Sequence, residues 1–254
     1  MNRILALAAA FALLAGCNAP ADDTDTQTTS SEAPSPAEVV ALRSSGCQGY
    51  HTFFASPAEL FVDFVPENFT MATDSSGNTV NIPVFGYDCQ NGTSDLWALL
   101  PVVPPEQYRN TSYSVDAVVL QGFTTNATYQ AQYVAWGFDA ARVLAATVSE
   151  REATLAGVAR DDRFALGTAT VKYEVRTTVQ QSGGAFDEAH YRYWITNGTQ
   201  ATGWVEVSSL AATNVGPGTA TFQSQGDPGA PPASVGIGHR IEDASLVVTA
   251  HKLA

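Results

Sequence analysis

The sequence predicts an α+β domain, mainly antiparallel β-sheet and barrel-like, with two or three short helices. Three observations predict it. Segments that alternate apolar and polar residues, the period of a strand, recur along the chain with turn residues between them. Helical periodicity is confined to a few short stretches. Residues 44–254 carry no linker, repeat or low-complexity block, so they read as one domain large enough to bury a core.

The first strand is read over residues 46–54. Ser56-Pro57-Ala58-Glu59 then has the form of a helix start, with a serine to cap, a proline at the first position and Glu59 to complete a capping box. Leu60, Phe61, Phe64 and Val65 give that helix an apolar face, and Pro66 ends it. Residues 69–73 and 79–87 read as a hairpin about Ser75-Ser76-Gly77-Asn78. Strands follow at 96–103 and 112–123. The second is continuously apolar over 117–120, the mark of burial on both faces.

Residues 127–138 fit helix and strand equally well. Tyr129, Tyr133 and Trp136 suit a helix, while Tyr129, Ala131 and Tyr133 suit a strand. Residues 139–150 read as the best helix of the domain, capped by Asp139, with Val143, Leu144, Ala146 and Thr147 as its buried stripe. The last third reads as antiparallel sheet. Residues 168–179 place Ala169, Val171, Tyr173 and Val175 on one face, and Gly183-Gly184 turns the chain. In 190–196, Tyr191, Tyr193 and Ile195 alternate with His190, Arg192 and Trp194. Asn197-Gly198 supplies another turn. Strands at 204–210, 219–223 and 244–253 complete the set, with a Pro/Gly-rich loop over 226–232.

The N-terminus carries an address. Arg3 precedes an apolar run over 4–15, too short to span a bilayer, which takes about 20 apolar residues. Leu14-Ala15-Gly16-Cys17 resembles the bacterial lipobox. That resemblance implies that residues 1–16 are a signal peptide and that Cys17 carries a diacylglyceryl group. It implies two or three acyl chains in all, enough for stable attachment to a membrane. Residues 17–43 are acidic and rich in Ser, Thr and Pro, with little to bury, and read as a disordered tether. The expected location is the bacterial cell envelope. Asn18, rather than Asp, favours the outer membrane if the host is Gram-negative.

Charge and cysteines narrow the chemistry. The chain has a formal net charge of -13, and twenty of its 25 acidic residues lie in the domain. Only ten of the 12 basic residues lie there, in no cluster, which excludes a basic face for nucleic acid. With Cys17 committed to lipid, Cys47 and Cys89 remain. In an exported protein such a pair reads as one disulfide, with two free thiols as the alternative. Nucleotide motifs and zinc spacings are absent from the sequence, so no cofactor and no metal are expected. His51, His190, His239 and His251 are scattered. Asp161-Asp162, between Arg160 and Arg163, reads as a solvated turn. Trp97, Trp136, Tyr133, Tyr193 and Trp194 are candidates for lining a ligand cavity, with core packing as the competing reading.

Ser56-Pro57-Ala58-Glu59-Leu60 followed by Pro66-Glu67-Asn68-Phe69-Thr70 resembles the opening of acetoacetate decarboxylase-like proteins over roughly 40 residues. The resemblance implies a barrel of antiparallel strands around a cavity. It also implies a Schiff-base lysine beside a second lysine in mid-chain. Here Lys172 and Lys252 are the only lysines and neither adjoins another, which leaves Lys172 as the sole candidate nucleophile. Three functions follow from these readings. The domain is expected to bind a small, partly apolar ligand. The alternatives are a decarboxylase-like lyase or related enzyme on a small carbonyl compound, and an envelope structural or interaction protein.

Overall fold

A computed structural model of the protein describes residues 41–157, 159–170, 172–180, 183–186, 189–210, 212–225 and 234–253. The expected signal peptide, Cys17, the expected tether up to residue 40, Val171 and the 226–232 loop lie outside the described residues. The strands are β1 (Leu42–Pro57), β2 (Thr70–Met71), β3 (Thr79–Asp88), β4 (Ser94–Val103), β5 (Val115–Thr124), β6 (Val143–Ala145) and β7 (Thr147–Ala156). The series continues with β8 (Ala159–Gly167), β9 (Lys172–Gln180), β10 (Gly183–Phe186), β11 (Ala189–Asn197), β12 (Gln200–Leu210), β13 (Ala212–Gln225) and β14 (Ser234–Lys252). One α-helix, α1 (Ala127–Trp136), and 3-10 turns at Ala58–Phe64 and Glu106–Tyr108 are the helical elements among the described residues. The fold is therefore mostly β-sheet.

Seven strands pair in a closed circuit. The order is β1-β3-β4-β5-β11-β12-β14, and β14 pairs back onto β1. All of these pairings are antiparallel except β5 with β11. The sheet forks at β14. Its C-terminal half pairs β12, and its N-terminal half pairs β13, which leads on to β9, β8 and β7 as an arm. The change of partner falls near Asp243, whose φ is +58°.

The period-two pattern explains why both faces of the circuit are buried. One apolar cluster takes a side chain from each of the seven strands, such as Cys47, Tyr87, Trp97, Val119, Tyr193, Val207 and Val248, together with Tyr133 of α1. This is the inner face of the circuit. The alternate residues, such as Tyr50, Ile82, Val84, Leu96, Val118 and Leu120, form a second cluster with Phe164, Leu166 and Val175 of the arm. The arm thus covers part of the outer face, and Ala117 to Leu120 are buried on both faces, as their apolar run predicts.

Several local expectations are corrected. Residues 139–150 form a turn and then strands, not a helix. Asp139 accepts a hydrogen bond from the Ala141 amide at the turn, Val143 pairs with Gly122, and Thr147 starts a strand along β8. The reason is visible in a competing pattern. Leu144, Ala146 and Val148 repeat every second residue and pack against the outer cluster, while Val143, Thr147 and Val148 are β-branched. The Ser56 capping box does not form either. Ser56 is a strand residue opposite Val80, the segment after it is a 3-10 turn, and its N-terminus has no side-chain cap. Ladder pairing to β3 outcompetes the local cap.

Asp161 and Asp162 lie in β8 rather than in a solvated turn, and Asp162 is fully buried against Arg240. Gly183 and Gly184 belong to a strand paired with β13 rather than to a turn. Residues 70–71 pair β4, so only the single Thr73–Val80 bridge joins the two expected hairpin arms. The ambiguous 127–138 segment is helical because Asn126 accepts from the Thr128 and Tyr129 amides, and Gly137, at φ +112°, closes the other end. Cys47 and Cys89 are joined by a disulfide.

Candidate functional site

Two spaces adjoin the inner face of the circuit. The first is small and largely closed. Tyr87, Asp95, Trp97, Tyr133, Phe138 and Tyr193 line it with Val205, Val207, Leu246 and Val248, and its volume is about 20 Å³. That is room for a water-sized group and for no organic ligand. Strand alternation aims Tyr87, Asp95, Trp97 and Tyr193 inward, and α1 brings Tyr133 down on Trp97 with ring centroids 5.0 Å apart.

Burial governs the chemistry of this interior. It pushes Asp95 up to about 7, against the opposing pull of a hydrogen bond from Thr124. It drives Tyr87, Tyr133 and Tyr193 well above the usual phenol range. His51, one layer away, is lowered to about 3 by burial and by the neighbouring His239. The His51 Nε2 shares a hydrogen bond with the Tyr87 hydroxyl, and Nδ1 lies 3.5 Å from the Tyr191 hydroxyl. His51 is therefore neutral at pH 7, and Asp95 Oδ1 has no hydrogen-bond partner.

The second space is an open cleft of about 550 Å³. Phe53, Pro83, Pro101, Val103, Pro104 and Val115 form apolar walls, and Asn81, Arg109, Tyr113 and Asp116 add polar atoms. Phe53 and Val115 also pack against the inner cluster, so the cleft lies at one end of the circuit. The prolines follow from position. Pro101 sits near the end of β4, and Pro104 and Pro105 lead into the short turn that presents Arg109. Asp116 is committed to Arg192 through two hydrogen bonds and accepts a third from the Trp194 indole at 2.9 Å. Tyr113 donates to Glu206. The Arg109 side chain donates to the Pro104 carbonyl at 3.4 Å and has no carboxylate partner among the described residues. The cleft therefore offers the exposed guanidinium of Arg109 beside its apolar walls.

The chain matches no family model and no curated protein. It is similar to two solved structures of the enduracididine biosynthesis enzyme MppR, one with HEPES buffer bound and one complexed with the condensation product of pyruvate and imidazole 4-carboxaldehyde. Each has a TM-score of 0.49 and 11% sequence identity. The match covers 82% of this chain and 85% or 86% of those chains.

Trp97, Tyr133 and Tyr193 meet around the small first space. Trp136 packs at the margin of the same cluster. Trp194 points the other way, into the outer cluster. Lys172 pairs with Glu150 at 2.8 Å on the arm and lines neither space. The histidines come together in two pairs. His51 faces His239 across the β1–β14 ladder, and His190 and His251 both approach Glu206. Among the described residues no group of His, Cys, Asp and Glu is placed to hold a metal.

The residues that sequence reasoning missed are Asp95 and Arg109. Asp95 carried a signal, as the lone charged residue of a mainly apolar strand. Arg109 carried none, because only the fold shows which walls surround it.

Proposed function

We propose that the domain binds a small, partly apolar ligand that carries an acidic group, in the cleft at the end of the strand circuit. One observation carries the reading. A space of about 550 Å³, within the 300–1,000 Å³ typical of ligand pockets, combines apolar walls with the unpaired guanidinium of Arg109. The closed strand pairing supports a barrel-like scaffold of the acetoacetate decarboxylase-like kind, with the ligand at its mouth. Its centre is filled by aromatic side chains. The lipobox resemblance adds that the domain is presented from a bacterial envelope membrane by lipid on Cys17.

Ligand-observed NMR against a panel of small carboxylic acids and matched neutral amides tests the site. Acids are expected to bind in preference to their amides. Arg109→Ala is expected to weaken them about tenfold or more, the cost of a lost charge-assisted bond. Val115→Trp, which fills the cleft, is expected to abolish binding. Equal binding of acids and amides would remove the acidic group from the proposal. Unchanged binding in Val115→Trp would remove the cleft.

A further inference from the structure

The small space next to Asp95 calls for a positive occupant once the acid ionises. Asp95 is 8% exposed, and its Oδ1 has no hydrogen-bond partner. Thr124 donates a hydrogen bond to its carboxylate, and the space beside it is lined by Tyr87 on β3, Tyr193 on β11 and Tyr133 on α1, with Trp97 and Phe138. β12 and β14 contribute only Val205, Val207, Leu246 and Val248 to the wall. No basic side chain lines the space, and His51 in the next layer is neutral. An ionised Asp95 therefore has no counter-charge on the protein side.

We propose that this space is a binding site for a small monovalent cation and that the ion it takes is ammonium. Size is the first argument. A volume of about 20 Å³ admits one heavy atom, and ammonium is the cation closest to water in size and hydrogen-bonding geometry. Chemistry is the second. Ammonium donates up to four directional hydrogen bonds, and Asp95 Oδ1 offers it an unpartnered acceptor, with the phenols of Tyr133 and Tyr193 close by. Sodium, more strongly hydrated, loses more on entering and finds too few oxygens to replace its water. When the acid is protonated beforehand, ammonium binding releases one proton to solvent, so the charge of the site is conserved. This site is separate from the cleft, and its fate does not depend on the cleft's ligand.

The test compares unfolding midpoints of the purified protein in ammonium, potassium and sodium chlorides at equal ionic strength and pH 8. The midpoint is expected to be several degrees higher in ammonium chloride than in either other salt, and Asp95→Asn is expected to lose the difference. Equal midpoints in the three salts would overturn the site. An equal rise in potassium would overturn its assignment to ammonium. A rise that persists in Asp95→Asn would place the ion elsewhere. If the variant does not fold, NMR of the wild-type protein with nitrogen-15 ammonium decides. A bound resonance distinct from the free ion supports the site, and the free resonance alone overturns it.

Discussion

At the scale of the residue, the interior sets two buried groups against each other. Asp95 moves from 3.8 to about 7 on folding, and His51 from 6.5 to about 3. Between about pH 4 and 6.5 the folded state therefore holds an extra proton on Asp95 and lacks one on His51. A raised acid contributes stability that is lost as pH rises through this window. A lowered histidine contributes stability that is lost as pH falls through it. The two slopes, each about 1.4 kcal/mol per pH unit, nearly cancel. In ammonium-free buffer, Asp95→Asn is expected to leave the histidine slope, so its stability rises with pH relative to wild type across that window. His51→Gln is expected to show the opposite, a fall as pH rises from about 4 to 7. Urea unfolding at three pH values reads both. Parallel pH profiles for wild type and either variant would show that the two groups are not buried as described.

At the scale of the element, the arm is tied to the circuit by charge as well as by apolar packing. Arg240 of β14 is fully buried. It donates to Asp162 of β8 and to the Tyr50 hydroxyl, and it pairs with Glu242. Removing Asp162 takes one of the two carboxylate partners from the buried Arg240, and losing such a charge-assisted hydrogen bond costs about 1.5–3 kcal/mol. Asp162→Ala is expected to lose stability of that order in urea unfolding. A loss under about 1 kcal/mol would class the pair with surface ion pairs.

This scale also shows what the sequence made legible. Strands whose two faces differ were readable. β11 alternates Tyr191, Tyr193 and Ile195 inward against Arg192 and Trp194 outward, as its pattern predicts. The 139–150 segment was misread because Val143, Leu144 and Thr147 fall at helical spacing by coincidence, while Leu144, Ala146 and Val148 carry the period that tertiary pairing uses. Asp162 was misread because its partner, Arg240, lies 78 residues away, and no local pattern reports such a contact. The cleft was illegible for the same reason. Its walls come from β1, β3, β4 and β5, together with the chain before β5, and only the circuit of pairings brings them together.

At the scale of the whole molecule, the proposed lipid anchor at Cys17 and the proposed ligand cleft are tested separately. Cys17→Ala is expected to release the protein from the membrane fraction and to abolish its labelling by radioactive palmitate in the host. Retention with undiminished label would refute the lipid at Cys17. The disulfide between Cys47 and Cys89 suits an exported chain, and it closes a loop of 42 residues. Closing a loop of that length is worth about 4 kcal/mol in the chain-entropy model.

The central claim is that the cleft at the end of the circuit holds a small acidic, partly apolar molecule. Native mass spectrometry of wild type and Val115→Trp, each purified from the host, tests it most directly. The account predicts one co-purifying small acid in the wild type and none in the variant. An empty wild type, or the same adduct in both proteins, would contradict it.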